Sequence, residues 1–137
     1  MKVVIDTNGL LRSIPRDGSY RWLYDAFATG QFTWVVSTEI LLEYAEMTGY
    51  YYSPAAAELV TSLLLAAPNH LRQEPYFRFG QVTNDPDDNK FVDCAIAAGV
   101  DWLVSDDNHI LNLLRQPNRF PPVPICSFEK FKKILNR

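Results

Sequence analysis

Cysteine and histidine are nearly absent from this sequence, with two of each in 137 residues. Cys94 lies in an alanine-rich helical run and Cys126 in a strand-like segment, far apart. Both read as small core residues rather than as a disulfide. His70 and His109 have no partner at metal-ligand spacing, which gives a zinc site little support. No apolar run reaches the roughly 18 residues of a membrane span. The opening MKVVID turns acidic at once, unlike a signal peptide, so a cytoplasmic protein is expected. Repeats, low-complexity tracts and linkers are also missing, and the length suits one domain over residues 1–137. Excess positive charge is absent: the net charge of −3 argues against nonspecific coating of nucleic acid.

The 47% hydrophobic and 21% charged residues suit a globular chain with a substantial core. Charge is unevenly spread. Seven of the ten aspartates fall between Asp85 and Asp107, where Lys90 is the only basic residue. Basic residues gather at Arg12, Arg16 and Arg21, at Arg115 and Arg119, and from Lys130 to Arg137. An acidic centre with basic flanks suits a metal site acting on a polyanion, and suits a solvated acidic loop almost as well.

Short β-branched or apolar runs predict strands at Lys2 to Ile5, Phe32 to Val36, Trp102 to Val104 and Val123 to Cys126. DTNGLL reads as a turn. Helical patterns follow at Tyr20 to Thr29, from Ser37 or Thr38 to about Thr48 with a stop at Gly49, and at Ala55 to Ala67 after Ser53 and Pro54. Further helices are predicted at Asn89 to Ala98 with Gly99 as terminator, at Asn108 to Leu114, and after the cap Ser127. Residues 69–84 are hard to read, with a short strand expected around Gln81 to Thr83; Pro117 to Pro122 reads as a loop. This alternation predicts a parallel α/β sheet with helices on both faces.

In such sheets, ligands bind outside the carboxyl ends of the strands. Asp6 directly follows KVVI, and Asp106–Asp107 follows WLVS. Asp88 stands at a helix N-terminus facing the same edge, and Glu43 sits mid-helix after the second strand. Four segments therefore bring carboxylates to one place. Magnesium and manganese are hard cations that take oxygen ligands. Carboxylates crowded without a cation repel one another, whereas a bound cation relieves this and bridges to a phosphate oxygen. RNA or DNA is the natural substrate. Each acid also has a plainer reading: Asp6 and Asp106–Asp107 as turn residues, Asp87 and Asp88 as helix caps, and Glu43 as one of three glutamates with Glu39 and Glu46 on a solvent-facing helix face. Their order and placement together favour chemistry.

VVIDTNGLLRS, DPDDNKFVDCAIAAGVDWLVSDD and the closing PICSFEKF resemble the PIN-domain family, small nucleases that include the toxin half of many prokaryotic toxin–antitoxin pairs. Between the first two, STEILLEYAEM matches through its acidic position. The resemblance is greatest to the toxin-component subgroup. It implies a three-layer α/β/α fold with a central parallel sheet, a magnesium or manganese pocket, hydrolysis of RNA, and a small antitoxin partner. It maps the family's acids onto Asp6, with Thr7 and Asn8 beside it, then Glu43, Asp88 and, at the fourth position, Asp107. Asp106 stands where relatives have glycine and is the alternative; the subgroup often carries another acid where Asp93 stands. His109 occupies a spot where relatives often have aspartate. The implied roles are metal ligation by Asp6, Asp88 and Asp107, and orientation of the attacking water or a second cation by Glu43. Asn8 and Ser105 would fix carboxylate rotamers. The products would be a 5′-phosphate and a 3′-hydroxyl.

Arg12 and Arg16, close behind Asp6, are the expected phosphate contacts. Tyr50, Tyr51 and Tyr52 cannot all be buried on one face and point to a homodimer or an antitoxin groove. Phosphotransfer folds fit less well: haloacid-dehalogenase phosphatases need a second aspartate where Asn8 stands, and receiver domains need a paired lysine that is not evident near the acids. The rival from another class is a catalytically silent PIN-fold module that binds RNA or protein.

Overall fold

The computed structural model describes residues 1–83, 85–116 and 121–137. Its centre is β1 (Lys2–Ile5), in which Val3, Val4 and Ile5 are fully buried. A strand covered on both faces reads as a continuous apolar run rather than an alternation, the mark of a parallel sheet. Strand β1 pairs in parallel with β2 (Thr33–Val36) on one side and β4 (Trp102–Val104) on the other. Outside them lie β3 (His70–Arg72) and β5 (Ile125–Cys126), also parallel, giving the order β3-β2-β1-β4-β5. The chain first builds outward from β1 through β2 to β3, then returns past β1 to start β4. The connections therefore diverge between β1 and β4, and a crevice opens at their carboxyl ends.

The helices are α1 (Thr7–Ser13), α2 (Arg21–Ala28), α3 (Thr38–Tyr51), α4 (Pro54–Ala66), α5 (Asn89–Ala98), α6 (Asn108–Leu111) and α7 (Phe128–Leu135). They flank the sheet in a three-layer α/β/α arrangement. Ser37, Ser53 and Ser127 each accept an N-capping bond, and Gly99 ends α5 in the left-handed region at φ 59°. Phe27, Phe32, Trp34 and Tyr44 form a contiguous aromatic cluster in the core. Cys94 and Cys126 are free and buried, and burial pushes both thiols up to about 12. No helix among the described residues is long and apolar enough to cross a membrane.

Several local expectations need correction. DTNGLL is not a turn but the start of α1. Helix α3 continues through Gly49 to Tyr51, because packing along α4 outweighs the weak helix propensity of glycine. No strand forms at Gln81 to Thr83. The Asn89 side chain instead accepts from the Val82 N–H at 2.8 Å and donates to the Val82 carbonyl at 3.0 Å, taking the place of a strand neighbour. The outer strand is β3, whose HLR sequence has no β-branched residue to announce it. The last strand shortens to Ile125–Cys126, and the Asn108 helix passes into a 3-10 turn at Asn112–Arg115. Residues 117–120 of the expected loop, with Arg119, lie outside the described residues.

Gly9 gives DTNGLL the look of a turn, and the reason for a glycine there is tertiary. A Cβ would overlap the Phe128 ring and press to 3.0 Å on Ile5 Cγ2. Gly9→Ala is expected to destabilise the protein by about 1–3 kcal/mol, as overpacking does. Urea denaturation should show a lower midpoint at unchanged slope; an unaltered midpoint would mean that α7 yields freely.

Candidate active site

Four chain segments meet at the edge where β1 and β4 end. The Asp6 N–H is bonded to the Val104 carbonyl at 3.0 Å, which holds the residue at the sheet edge before any side-chain contact forms. Asp6 occupies the N-cap position of α1, yet its side chain makes no capping bond. Its Oδ2 instead accepts from Ser105 Oγ at 2.8 Å. Ser105 Oγ in turn accepts the Asp107 N–H at 2.9 Å, and Asp107 Oδ1 accepts the His109 N–H at 2.8 Å to cap α6. One buried serine thus ties Asp6 to the segment that carries Asp107.

Asp106 is turned elsewhere. Its two oxygens accept the Tyr20 hydroxyl at 2.8 Å and the Phe128 N–H at 3.1 Å. Asp93 is buried and accepts the Phe79 N–H at 3.1 Å. Glu43 reaches in from α3 with both oxygens engaged, one by the Thr7 hydroxyl and the other by Lys90 Nζ at 2.7 Å. Of the three glutamates on that helix only Glu46 is exposed. A lysine paired with one of the acids, not evident from the sequence, is present: Lys90 is mostly buried against Glu43.

Asp88 ends a 3-10 turn (Pro86–Asp88) and starts α5. It is buried, and its Oδ2 has no hydrogen-bond partner among the described residues. His109 Nδ1 is likewise buried and unpartnered among them. It lies 3.6 Å from Asp107 Oδ1, 3.8 Å from Asp88 Oδ2 and 3.9 Å from Asp85 Oδ2, too far for hydrogen bonds. Asp85, Asp88 and His109 each offer a ligand atom within 4.8 Å of the others. The histidine that has no neighbour at ligand spacing along the chain therefore has two in space. They come from a distant segment, so no local spacing could have announced them.

Burial pushes the Asp6 carboxyl up to about 6 despite the lowering effect of the Ser105 hydroxyl and Thr7 N–H, with the charges of Asp107 and Glu43 adding to the rise. Burial likewise lifts Asp88 to about 7, reinforced by Asp107, Asp85, Asp6 and Glu43. Repulsion alone would have been the expectation; desolvation leads in both. The pocket thus has oxygen donors that resist ionisation while the cation is absent, and two buried polar atoms without partners among the described residues. Those donors fit a divalent cation.

The surroundings are polarised. Asn8 is exposed and shares an outer groove with Arg12, Tyr51 and Tyr52 rather than bonding to the carboxylates. The Arg12 guanidinium lies 5.2 Å over the Tyr20 ring, and Arg16 is exposed just beyond α1. Glu39, Glu43, Glu46 and Asp87 line a separate, acidic groove with Lys90. Tyr50, Tyr51 and Tyr52 are all exposed, and the Tyr52 hydroxyl donates to the Leu11 carbonyl at 2.8 Å.

Comparison with solved structures finds the same architecture. VapBC2 of Rickettsia felis, solved with a DNA fragment from its promoter, matches at a TM-score of 0.63 and 16% identity, over 93% of this chain and 99% of that one. VapC20 of Mycobacterium tuberculosis, described as a sarcin-ricin loop cleaving toxin, matches at a TM-score of 0.55 and 9% identity, over 80% and 93% of the two chains. No curated protein matches significantly. The PIN domain family model matches residues 2–109, a span that holds Asp6, Glu43, Asp88 and Asp107 together with the sheet strands that carry the crevice. The chain belongs to the PIN domain family.

Proposed function

We propose that this chain, acting as one domain over residues 1–137, is a divalent-metal-dependent endoribonuclease and the toxin of a cytoplasmic toxin–antitoxin pair. The observation that carries the reading is the convergence of Asp6, Asp88 and Asp107 with Glu43 at the crevice, where Asp88 Oδ2 and the nearby His109 Nδ1 are buried without hydrogen-bond partners among the described residues. Asp6, Asp88 and Asp107 would hold magnesium or manganese. When bound, that cation supplies a lowered water pKa and neutralises charge on a phosphate oxygen. Ser105 holds the Asp6 carboxylate in one rotamer. The Thr7 and Lys90 contacts fix Glu43, which orients the attacking water for in-line displacement. A 5′-phosphate and a 3′-hydroxyl result. The engagement of both Asp106 oxygens supports Asp107 as the fourth acid.

The polarised surroundings favour RNA entry by the groove that Arg12 lines, since the groove of Glu39, Glu43, Glu46 and Asp87 is acidic. Reversing both charges in Arg12→Glu/Arg16→Glu should weaken RNA binding and reduce the salt slope by about two units, one for each phosphate that the arginines neutralise. An unchanged slope in filter binding across a salt series would mean that the two arginines are merely solvated.

A small antitoxin is the proposed partner. Support comes from the VapBC2 complex and from an apolar recess of about 220 Å³ lined by Leu10, Ile14, Tyr24, Leu59, Val60 and Leu63. The exposed tyrosines at the end of α3 support a homodimer as well. The central test is incubation with a panel of RNAs in magnesium or manganese. Cleavage that stops on chelation is expected; RNA binding without cleavage under either cation would instead favour a silent module.

A further inference from the structure

We propose that the groove between Arg12 and the tyrosines at the end of α3 holds one unpaired nucleotide of the RNA beside the scissile phosphate, its base stacked on Tyr51 and its phosphate on Arg12. The inference rests on the nuclease reading above and names the residues that select the strand. Asn8, Leu11, Arg12, Tyr51 and Tyr52 line this groove, whose volume of about 500 Å³ falls within the roughly 300–1,000 Å³ of small-molecule sites. It adjoins the crevice. Asn8 follows Thr7, whose hydroxyl is bonded to Glu43, and the Arg12 guanidinium lies over the ring of Tyr20, whose hydroxyl is bonded to Asp106. Among the described residues that line the groove, Arg12 is the only charged one and none is acidic.

The lining decides the ligand. Tyr51 is 61% exposed and Tyr52 44%, so both keep ring surface free for a partner. The Tyr52 hydroxyl, bonded to the Leu11 carbonyl, fixes that ring against α1 before any ligand arrives. A nucleotide has a π-face for such rings and a phosphate for the guanidinium, and the Asn8 amide offers a donor and an acceptor to a base edge or a ribose hydroxyl. The tyrosines alone would suit a protein surface equally well; the arginine and the continuity with the crevice favour RNA. Paired bases are stacked on one another and cannot reach the rings, whereas an unpaired base can be splayed out onto them. Arg12 serves either form, so the tyrosines carry the discrimination. The dimer contact then falls to Tyr50, which does not line the groove.

The test follows the fluorescence anisotropy of a short labelled oligoribonucleotide with the full chain in chelator, as a single strand and annealed to its complement. Wild type should bind the single strand at least about tenfold more tightly. Tyr51→Ser should fold normally by circular dichroism, keep the wild-type sedimentation and lose about tenfold in affinity for the single strand alone. Tyr51→Phe should lose nothing. Removing one base at a time along the strand should find a position that costs wild type about the same factor and costs Tyr51→Ser nothing further. Equal affinity for both forms, or no base coupled to Tyr51, overturns this proposal, and continued cleavage in magnesium or manganese then leaves the nuclease reading intact. A dimer that dissociates in Tyr51→Ser makes the turn a protein interface and overturns the proposal as well. Absence of both RNA binding and cleavage in the wild type overturns both readings.

Discussion

Asp6→Asn is expected to lower RNA hydrolysis at least about 100-fold, more than the 10–100-fold typical of removing a group that only supports a metal ligand, while the metal-free protein becomes more stable. The two effects share one cause. Asp6 is 5% exposed, and burial holds its carboxyl at about 6, so at neutral pH it is charged at a cost to the fold. Asparagine preserves the acceptor for Ser105 Oγ and removes the charge. A gain of about 1 kcal/mol follows, or about 3 °C in melting temperature. A plain capping role predicts the reverse, but the side chain makes no capping bond. Manganese or magnesium at about 100 times its Kd should stabilise the wild type by about 2.7 kcal/mol and the variant far less. Melting curves of both proteins with chelator and with excess metal check this. A destabilised variant, together with a wild type indifferent to both cations, would sink the acidic-pocket reading.

The second large effect is a reversal of pH dependence on adding metal. Asp6 and Asp88 both have folded values above the ordinary carboxylate, about 6 and about 7. The folded state therefore binds protons more tightly than the unfolded chain. Their contribution to stability is complete below about pH 4, the ordinary carboxylate value, and is lost as pH rises through the two folded values. Asp93, also raised by burial, acts in the same direction. Glu74 is lowered by its bonds to Thr38, so its contribution has the opposite sign, but that is already complete by about pH 5. Between about pH 5 and 8, stability in chelator should fall by about 3 kcal/mol, the repulsion shared by Asp6 and Asp88 being counted once. The melting temperature should drop by about 10 °C. With excess divalent cation the slope should invert, because ligation requires the deprotonated carboxylates. RNA cleavage should rise with pH across the same window. A melting temperature flat across that window in chelator would mean that these two acids are ordinary solvated groups.

Much of the site was legible because its parts are marked by local order. Asp6 after KVVI and Asp107 after WLVS sit at strand ends, and the periodic and capping signals place Asp88 and Glu43 on helices. In a parallel sheet those positions share an edge whatever the loops do. Asp106 and Asp107 could not be told apart from the chain alone. They differ in which side of the edge they face, and that depends on Tyr20 and the Phe128 N–H. Lys90 could not be paired with Glu43 by any spacing, since 47 residues separate them.

The sequence by itself determined the α/β alternation, the parallel sheet and the order in which four acids reach one edge. Hydrophobic runs, caps and glycine stops are local properties, and the handedness of strand–helix–strand units leaves few ways to assemble them. Only the tertiary structure decided that α1 begins at Thr7 around a glycine pressed against Phe128, that Val82 is held by a side-chain amide instead of a strand, and that His109 points at Asp85 and Asp88. Each of these is a contact that no local pattern encodes, made by groups from separate elements. Its energy comes from burial, and burial exists only once the sheet has brought those segments together.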